Sequence, residues 1–295
     1  MMQKNKRRRR FGDRKDGRKL RSIHPMSRIS PYIMKRRSDA QNSFRDSFDI
    51  TEAERLIKKK RAEGYKNIGI LHIILAAYVR TVAIRPGINR FISGQKIYAR
   101  NNIEVVMVIK KEMSLSAPDT IIKAFFSPTD TLTEVYEKFN ELVEKNIGYK
   151  DESDFDNTAK LLNYIPGLFL KFTIWFLDLL DYFGLLPRFL TKVSPFHGSL
   201  IITSMGSLGI PPIYHHLYDF GNLPIFFSYG AKRTQTILTP DGKPEKKTYV
   251  DFTIVTDERI CDGYYYASAF KILKRYLLNP GVLDTPPETV IEDID

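Results

Sequence analysis

The sequence predicts an α+β domain: a large mixed β-sheet with flanking helices, plus a hydrophobic helical insert. Three observations predict it. β-branched and aromatic stretches recur at about 103–109, 120–126, 199–205, 224–229 and 249–256. Apolar residues at helical spacing lie before and between them, without a regular strand–helix–strand alternation or an internal repeat. Composition then changes abruptly between Leu161 and Leu190, where Phe, Leu, Ile and Trp175 dominate. With 295 residues, 43% of them hydrophobic and 27% charged, the chain has globular proportions and stands near the upper limit for one core. One large domain carrying an insert follows, and a collagenous or wholly disordered chain is excluded.

The elements can be taken in order. Thr51 and Glu54 have the spacing of a capping box, which predicts a short basic helix through Leu56 to about Ala62. The run from Ile68 to Ala83 is too apolar for a surface helix and stops before Pro86-Gly87, so it belongs in the core. Ile103, Val105, Met107 and Ile109 alternate along one strand, and Thr120 to Phe126 forms the next. Leu132, Val135, Tyr136, Phe139, Leu142 and Val143 mark an amphipathic helix with one buried stripe. A polar, acidic run at 151–158 leads into the insert. Between Leu161 and Leu177 only Lys171 is charged, but Asn163, Pro166 and Gly167 interrupt the run and Asp178 and Asp181 close it, short of a clean transmembrane span. Three readings stay open for it: two short helices packed on the body or on a neighbouring subunit, which is favoured; a membrane-surface, acyl-chain-contacting lid; and, least favoured, a transmembrane helix. Strands at 199–205, 224–229 and 249–256 follow, with a turn at Pro240-Asp241-Gly242, and the last helix begins after Gly263.

Charge is unevenly placed. Residues 1–37 hold 15 of the Lys and Arg against Asp13 and Asp16, a net +13 in a chain of net +12, so the body is near neutral. Residues 1–26 read as a basic, disordered arm, and 286–295 as an acidic tail. Such an arm can meet anionic lipid, nucleic acid or an acidic partner, but no later basic surface interleaved with aromatics supports nucleic acid. It lacks the apolar segment of a secretory signal, and no glycine-rich nucleotide loop follows a strand. The single cysteine, Cys261, excludes an internal disulfide and a multi-cysteine zinc site and fits the cytoplasm, with peripheral membrane attachment as the alternative.

The stretch Val250-Asp-Phe-Thr-Ile-Val-Thr-Asp-Glu-Arg-Ile-Cys-Asp-Gly263 resembles the acyltransferase catalytic domain of 2-oxo acid dehydrogenase complexes and its relative chloramphenicol acetyltransferase. Those enzymes carry His-x-x-x-Asp-Gly between a strand and a helix; Asp262-Gly263 match, and Glu258 stands at the histidine position. Gly198-Ser-Leu-Ile-Ile-Thr-Ser-Met-Gly206 resembles the family's glycine-opened strand and puts Thr203 on its oxyanion-stabilising hydroxyl. Looser matches lie at 29–34, 49–51 and 86–90, and Arg28 falls near the arginine that holds the motif aspartate. The resemblance covers about 27–285, interrupted by the insert at about 151–195. It implies a chloramphenicol-acetyltransferase-like fold, a homotrimer or a multiple of it with active sites between subunits, and coenzyme A or acyl-CoA as substrate with a small-molecule acceptor. In the family the imidazole takes a proton from the attacking thiol or hydroxyl, and the aspartate is structural. No lipoyl-bearing domain and no Ala/Pro-rich linker is visible, so a stand-alone catalytic body is expected.

The roles make physical sense, because acyl transfer needs a base near the nucleophile and a donor aimed at the developing oxyanion. A carboxyl group is a weaker base than imidazole by about 3 kcal/mol at their ordinary pKa values of about 4.3 and 6.5. Burial, Asp257 and Asp262 act to raise it, and Arg259 to lower it. Glu258 therefore reads as a working base, as the mark of a lost activity in an oligomeric scaffold, or as a bystander to another base. His215 and His216, with Tyr214, Tyr218 and Asp219, are the candidates for that base; an interfacial hydrogen-bonding cluster is the alternative. No metal site is expected, since neighbouring histidines on a strand point apart and only His24, His72 and His197 remain.

Overall fold

A computed structural model describes residues 9–110, 119–148, 160 and 163–295. Alternating strands build a six-stranded mixed sheet, in the order β2 (Gln41–Asp49), β9 (Pro244–Asp257), β8 (Ile225–Leu238), β7 (Leu200–Ser204), β5 (Ile103–Lys110) and β6 (Asp119–Phe126). The β5–β7 and β7–β8 pairs are parallel and the others antiparallel. A three-stranded sheet of β1 (Gly17–Lys19), β4 (Lys96–Arg100) and β3 (Arg90–Ser93) lies apart from it. The helices are α1 (Pro25–Ile33), α2 (Thr51–Ala62), α3 (Ile70–Ile84), α4 (Leu132–Gly148), α5 (Gly167–Tyr182), α6 (Arg188–Val193) and α7 (Gly263–Leu278).

Period-two alternation gives the large sheet two faces. Leu200 and Ile202, Ile225 and Phe227, and Phe252 and Ile254 join the main core with α3, α4 and α7. Ile201, Phe226 and Val255 point the other way and form a small cluster with Val106, Leu217 and Leu223, beneath the loop at 210–223. As its composition requires, α3 is buried on nearly every side.

Several expectations are corrected. No side chain caps α2 from Thr51; Ile50 occupies the cap, and Asp49 accepts bonds from the Thr51 N–H at 2.9 Å and the Thr51 hydroxyl at 2.5 Å. From Arg9 onward the basic arm is folded onto the body, because its charges find partners: Arg14 is buried and β1 pairs with β4. Arg90 holds Asp293 of the acidic tail at 2.5 and 2.7 Å. β8 and β9 run further than the apolar pattern indicated, as an exposed two-stranded ribbon of polar residues beyond a bulge at Tyr229/Lys232. Residues 1–8, the acidic run 151–158 and Leu161 lie outside the described residues. The described part of the insert carries α5 and α6.

Candidate functional site

β9 delivers Asp257 to the end of the sheet with its side chain fully buried. Its carboxylate takes the Arg259 guanidinium in a two-point contact, Nε to Oδ1 at 2.8 Å and Nη2 to Oδ2 at 2.7 Å. Arg37 Nε stands 3.5 Å from Oδ2, and its Nη groups donate to the Tyr218 carbonyl and, at 2.8 Å, the Gly221 carbonyl. Arg259 also donates to the Met34 carbonyl at 3.0 Å. Two arginines around one aspartate thus pin the 34–37 segment and the 218–221 loop to the motif turn. A paired, hydrogen-bonded buried charge of this kind fixes geometry more than it adds stability.

Glu258, next in the chain, is half-buried. Its N–H donates to the Ala40 carbonyl at 2.9 Å, and its Oε2 accepts from Asn42 Nδ2 at 3.0 Å, so the edge strand β2 orients it. Arg259 is turned away to Asp257. Asp262 is the N-cap of α7, accepting from the Tyr265 N–H at 2.8 Å. Arg28, on α1, donates to the Arg21 carbonyl. The arginine–aspartate clamp is therefore built from Asp257, Arg37 and Arg259. Cys261 is buried, and burial pushes its thiol well above the ordinary range, so it stays protonated.

Thr203, at the other end of β7, belongs to a row of hydroxyls that crosses three strands: it pairs with Ser228, and Ser228 with Thr253. Two of the three are occupied. The Ile213 N–H donates to Ser228 Oγ at 3.1 Å, and Thr253 Oγ1 donates to the Ile213 carbonyl. The half-buried Thr203 hydroxyl makes no hydrogen bond to the described residues. His215 lies on the same face, its ring stacked 4.1 Å from Phe226, whose strand partner Ile201 is two residues before Thr203. Nδ1 of His215 is 2.7 Å from the His216 carbonyl, which can only accept, so Nδ1 is the donor in this contact. His216 is exposed and stacks on His215 at 4.5 Å.

Thr203 and Glu258 are not brought together within one chain. Thr203 is in register with Thr253, five residues short of Glu258 and two strands away. The separation is roughly 16 Å along the strands and about 10 Å across them.

A cleft of about 600 Å³ opens beside the clamp, between Lys35, Arg36 and Arg37 on one side and Lys171, Ile174 and Trp175 of α5 on the other. At its base Asp181 is buried: Arg14 Nη2 meets its Oδ1 at 2.6 Å, and His197 Nε2 is 3.6 Å from its Oδ2. Burial works to raise the Asp181 carboxyl, but His197 and Arg14 outweigh it and hold it well below the usual range. Sequence reasoning missed the clamp and this cluster. The only available signal was polarity inside apolar runs: Asp257 on a core strand and Asp181 in an apolar helix.

No protein-family model and no curated protein matches the sequence. Solved structures do match. A probable dihydrolipoamide acetyltransferase from Listeria monocytogenes superposes with a TM-score of 0.56 at 15% identity, covering 89% of this chain and 95% of that one. The dihydrolipoamide acetyltransferase of Azotobacter vinelandii gives 0.56 at 14% identity, over 89% and 93%. A chloramphenicol acetyltransferase gives 0.51 at 10%, over 85% and 94%. The chain has the chloramphenicol-acetyltransferase-like fold. Within that fold, Thr203 on β7 and Glu258 at the end of β9 lie at opposite ends of strands that β8 separates in the large sheet.

Proposed function

We propose that the protein is a cytoplasmic, acyl-CoA-dependent acyltransferase that works as a homotrimer, with Glu258 of one copy facing Thr203 of its neighbour. The observation that carries this reading is the Thr203 hydroxyl. Among the described residues it is alone in its row without a hydrogen-bond partner, while the Glu258 carboxylate is oriented by Asn42 too far away to act on the same substrate within one chain. A second copy supplies what one chain lacks. The A. vinelandii acetyltransferase is described by the roles of a serine, a histidine and an asparagine in its catalytic mechanism, the last two four residues apart, as Glu258 and Asp262 are here.

The step is acyl transfer from a thioester. The acceptor X–H attacks the thioester carbonyl carbon while its proton passes to the Glu258 carboxylate. The carbonyl oxygen becomes an oxyanion that accepts a hydrogen bond from Thr203 Oγ1. Collapse expels coenzyme A thiolate, which takes the proton back from Glu258 and leaves as the thiol, with X acylated. Asp262 holds the start of α7 and Asp257 holds the turn; neither touches the reacting atoms in this scheme.

The test is release of free coenzyme A from acetyl-CoA in the presence of thiols, alcohols and amines. Thr203→Val is expected to lower the rate about a hundredfold, the cost of one lost oxyanion donor. Glu258→Gln is expected to lower it by roughly a hundredfold to ten-thousandfold. Release unchanged in both variants removes both residues from the mechanism. A second reading rests on Glu258 standing where the family has histidine: a catalytically inactive scaffold of the same fold. Failure to bind any coenzyme A derivative favours it, whereas a gain of acetyl transfer in Glu258→His indicates an otherwise intact site. His215 is the other base on offer, because its ring stacks on Phe226 on the Thr203 face of the sheet, and a rate lost in His215→Gln but kept in Glu258→Gln selects it.

A further inference from the structure

Helix α5 is amphipathic in the wrong sense for a soluble domain. Leu168, Phe172, Trp175 and Leu179 recur at helical spacing, with Phe169, Phe176 and Phe183 alongside them, and this continuous stripe faces outward. Leu168 is 80% exposed, Phe172 59% and Trp175 55%. The only buried residue of the helix is Asp181, held from beneath by Arg14. Leu185 and Phe189 continue the apolar surface towards α6. A solvated surface of this size has to be covered by something.

The surrounding charge says what covers it. Lys171, Arg188 and Lys192 border the stripe, and Arg188 reaches the Lys15 carbonyl, which brings the folded part of the basic arm alongside. Of the two acids in α5, Asp181 is buried against Arg14, and Asp178 lies on the cleft side. Two copies meeting through this face would set these cations against each other, with no acidic counterpart among the described residues of the α5–α6 stripe. A 16-residue helix is about 24 Å long, and no helix among the described residues is long and apolar enough to cross a membrane. An apolar stripe rimmed by cations on a helix too short to span suits the boundary between headgroups and acyl chains.

We infer that α5 and α6 form an interfacial anchor that docks the protein on an anionic lipid surface, with the α5 stripe in the acyl boundary and Lys171, Arg188 and Lys192 among the phosphates. This is independent of the acyl-transfer chemistry. Trp175 is the only tryptophan in the chain, so its fluorescence reports on the centre of the stripe. Full-length protein is mixed at low salt with vesicles of equal parts phosphatidylglycerol and phosphatidylcholine. The expected result is co-flotation, a blue shift of Trp175 emission with loss of iodide quenching, and release as salt rises. The double substitution Phe172→Glu/Phe176→Glu keeps the reporter and changes exposed side chains; it is expected to lower partitioning at least about tenfold without shifting thermal unfolding. Three results overturn the inference: no flotation at low salt; equal partitioning into phosphatidylcholine alone; or Trp175 already shielded without vesicles in an assembly that the double substitution dissociates, which assigns the stripe to a second copy.

Discussion

Asp181 and its partners set a local energy scale that mutation can read. Replacing a buried, paired carboxylate leaves its arginine in a low-dielectric setting, and such losses are about 3–5 kcal/mol. Asp181→Asn is expected to lower unfolding free energy by about 3 kcal/mol at pH 7, measured by urea titration. Because its carboxyl titrates below the usual range in the folded protein, its contribution is present above the unfolded value near pH 4 and declines as pH falls. The gap between wild type and variant should therefore narrow in acid. Burial also pushes His197 below the ordinary imidazole range, so its neutral form is the folded one and stability declines as pH drops through about 6.5. Residue identities at the motif turn were legible, because Asp257 to Gly263 is a continuous string of chemistry. The clamp was not: Arg37 lies 220 positions from Asp257, and nothing local marks which of many arginines will be buried.

Elements followed their periodicity where one face was to be covered. α2, α4, β5 and β6 were legible for that reason, and α3 because it has no polar face. The reading failed where polar residues form regular structure in solvent, as in the far half of the β8–β9 ribbon. It also failed at the start of α2, where a hydroxyl and a carboxylate at the right spacing lost to a nearer acceptor on Asp49. Loop geometry adds a constraint that composition hides. Gly221 has φ +80°, and a Cβ there would stand 2.2 Å from the Phe196 carbonyl oxygen. That loop also carries the carbonyl held by Arg37. Gly221→Ala combines a left-handed backbone with a backbone clash, and a loss of about 2 kcal/mol or more is expected in the same urea titration. Whether the insert faced the body or the outside was not legible, since an apolar helix reads alike in both settings.

At the scale of the whole molecule, the strand register makes assembly testable. If each site takes Thr203 from one copy and Glu258 from the next, Thr203→Val and Glu258→Gln proteins are each inactive, yet an equal mixture allowed to exchange subunits should recover about a quarter of wild-type sites. A mixture as inactive as its components argues against a shared site. The general architecture was legible from the mixed pattern of strands and helices; the dependence of one end of the chain on a distant helix was not. Arg14 comes from the stretch that composition alone marks as a dispensable tail, yet it is the counter-charge that moors α5 through Asp181. Trimming the protein at its beginning to improve its behaviour would therefore cast loose its greasiest segment, and a shortened version would be expected to clump for a reason that has nothing to do with the piece removed.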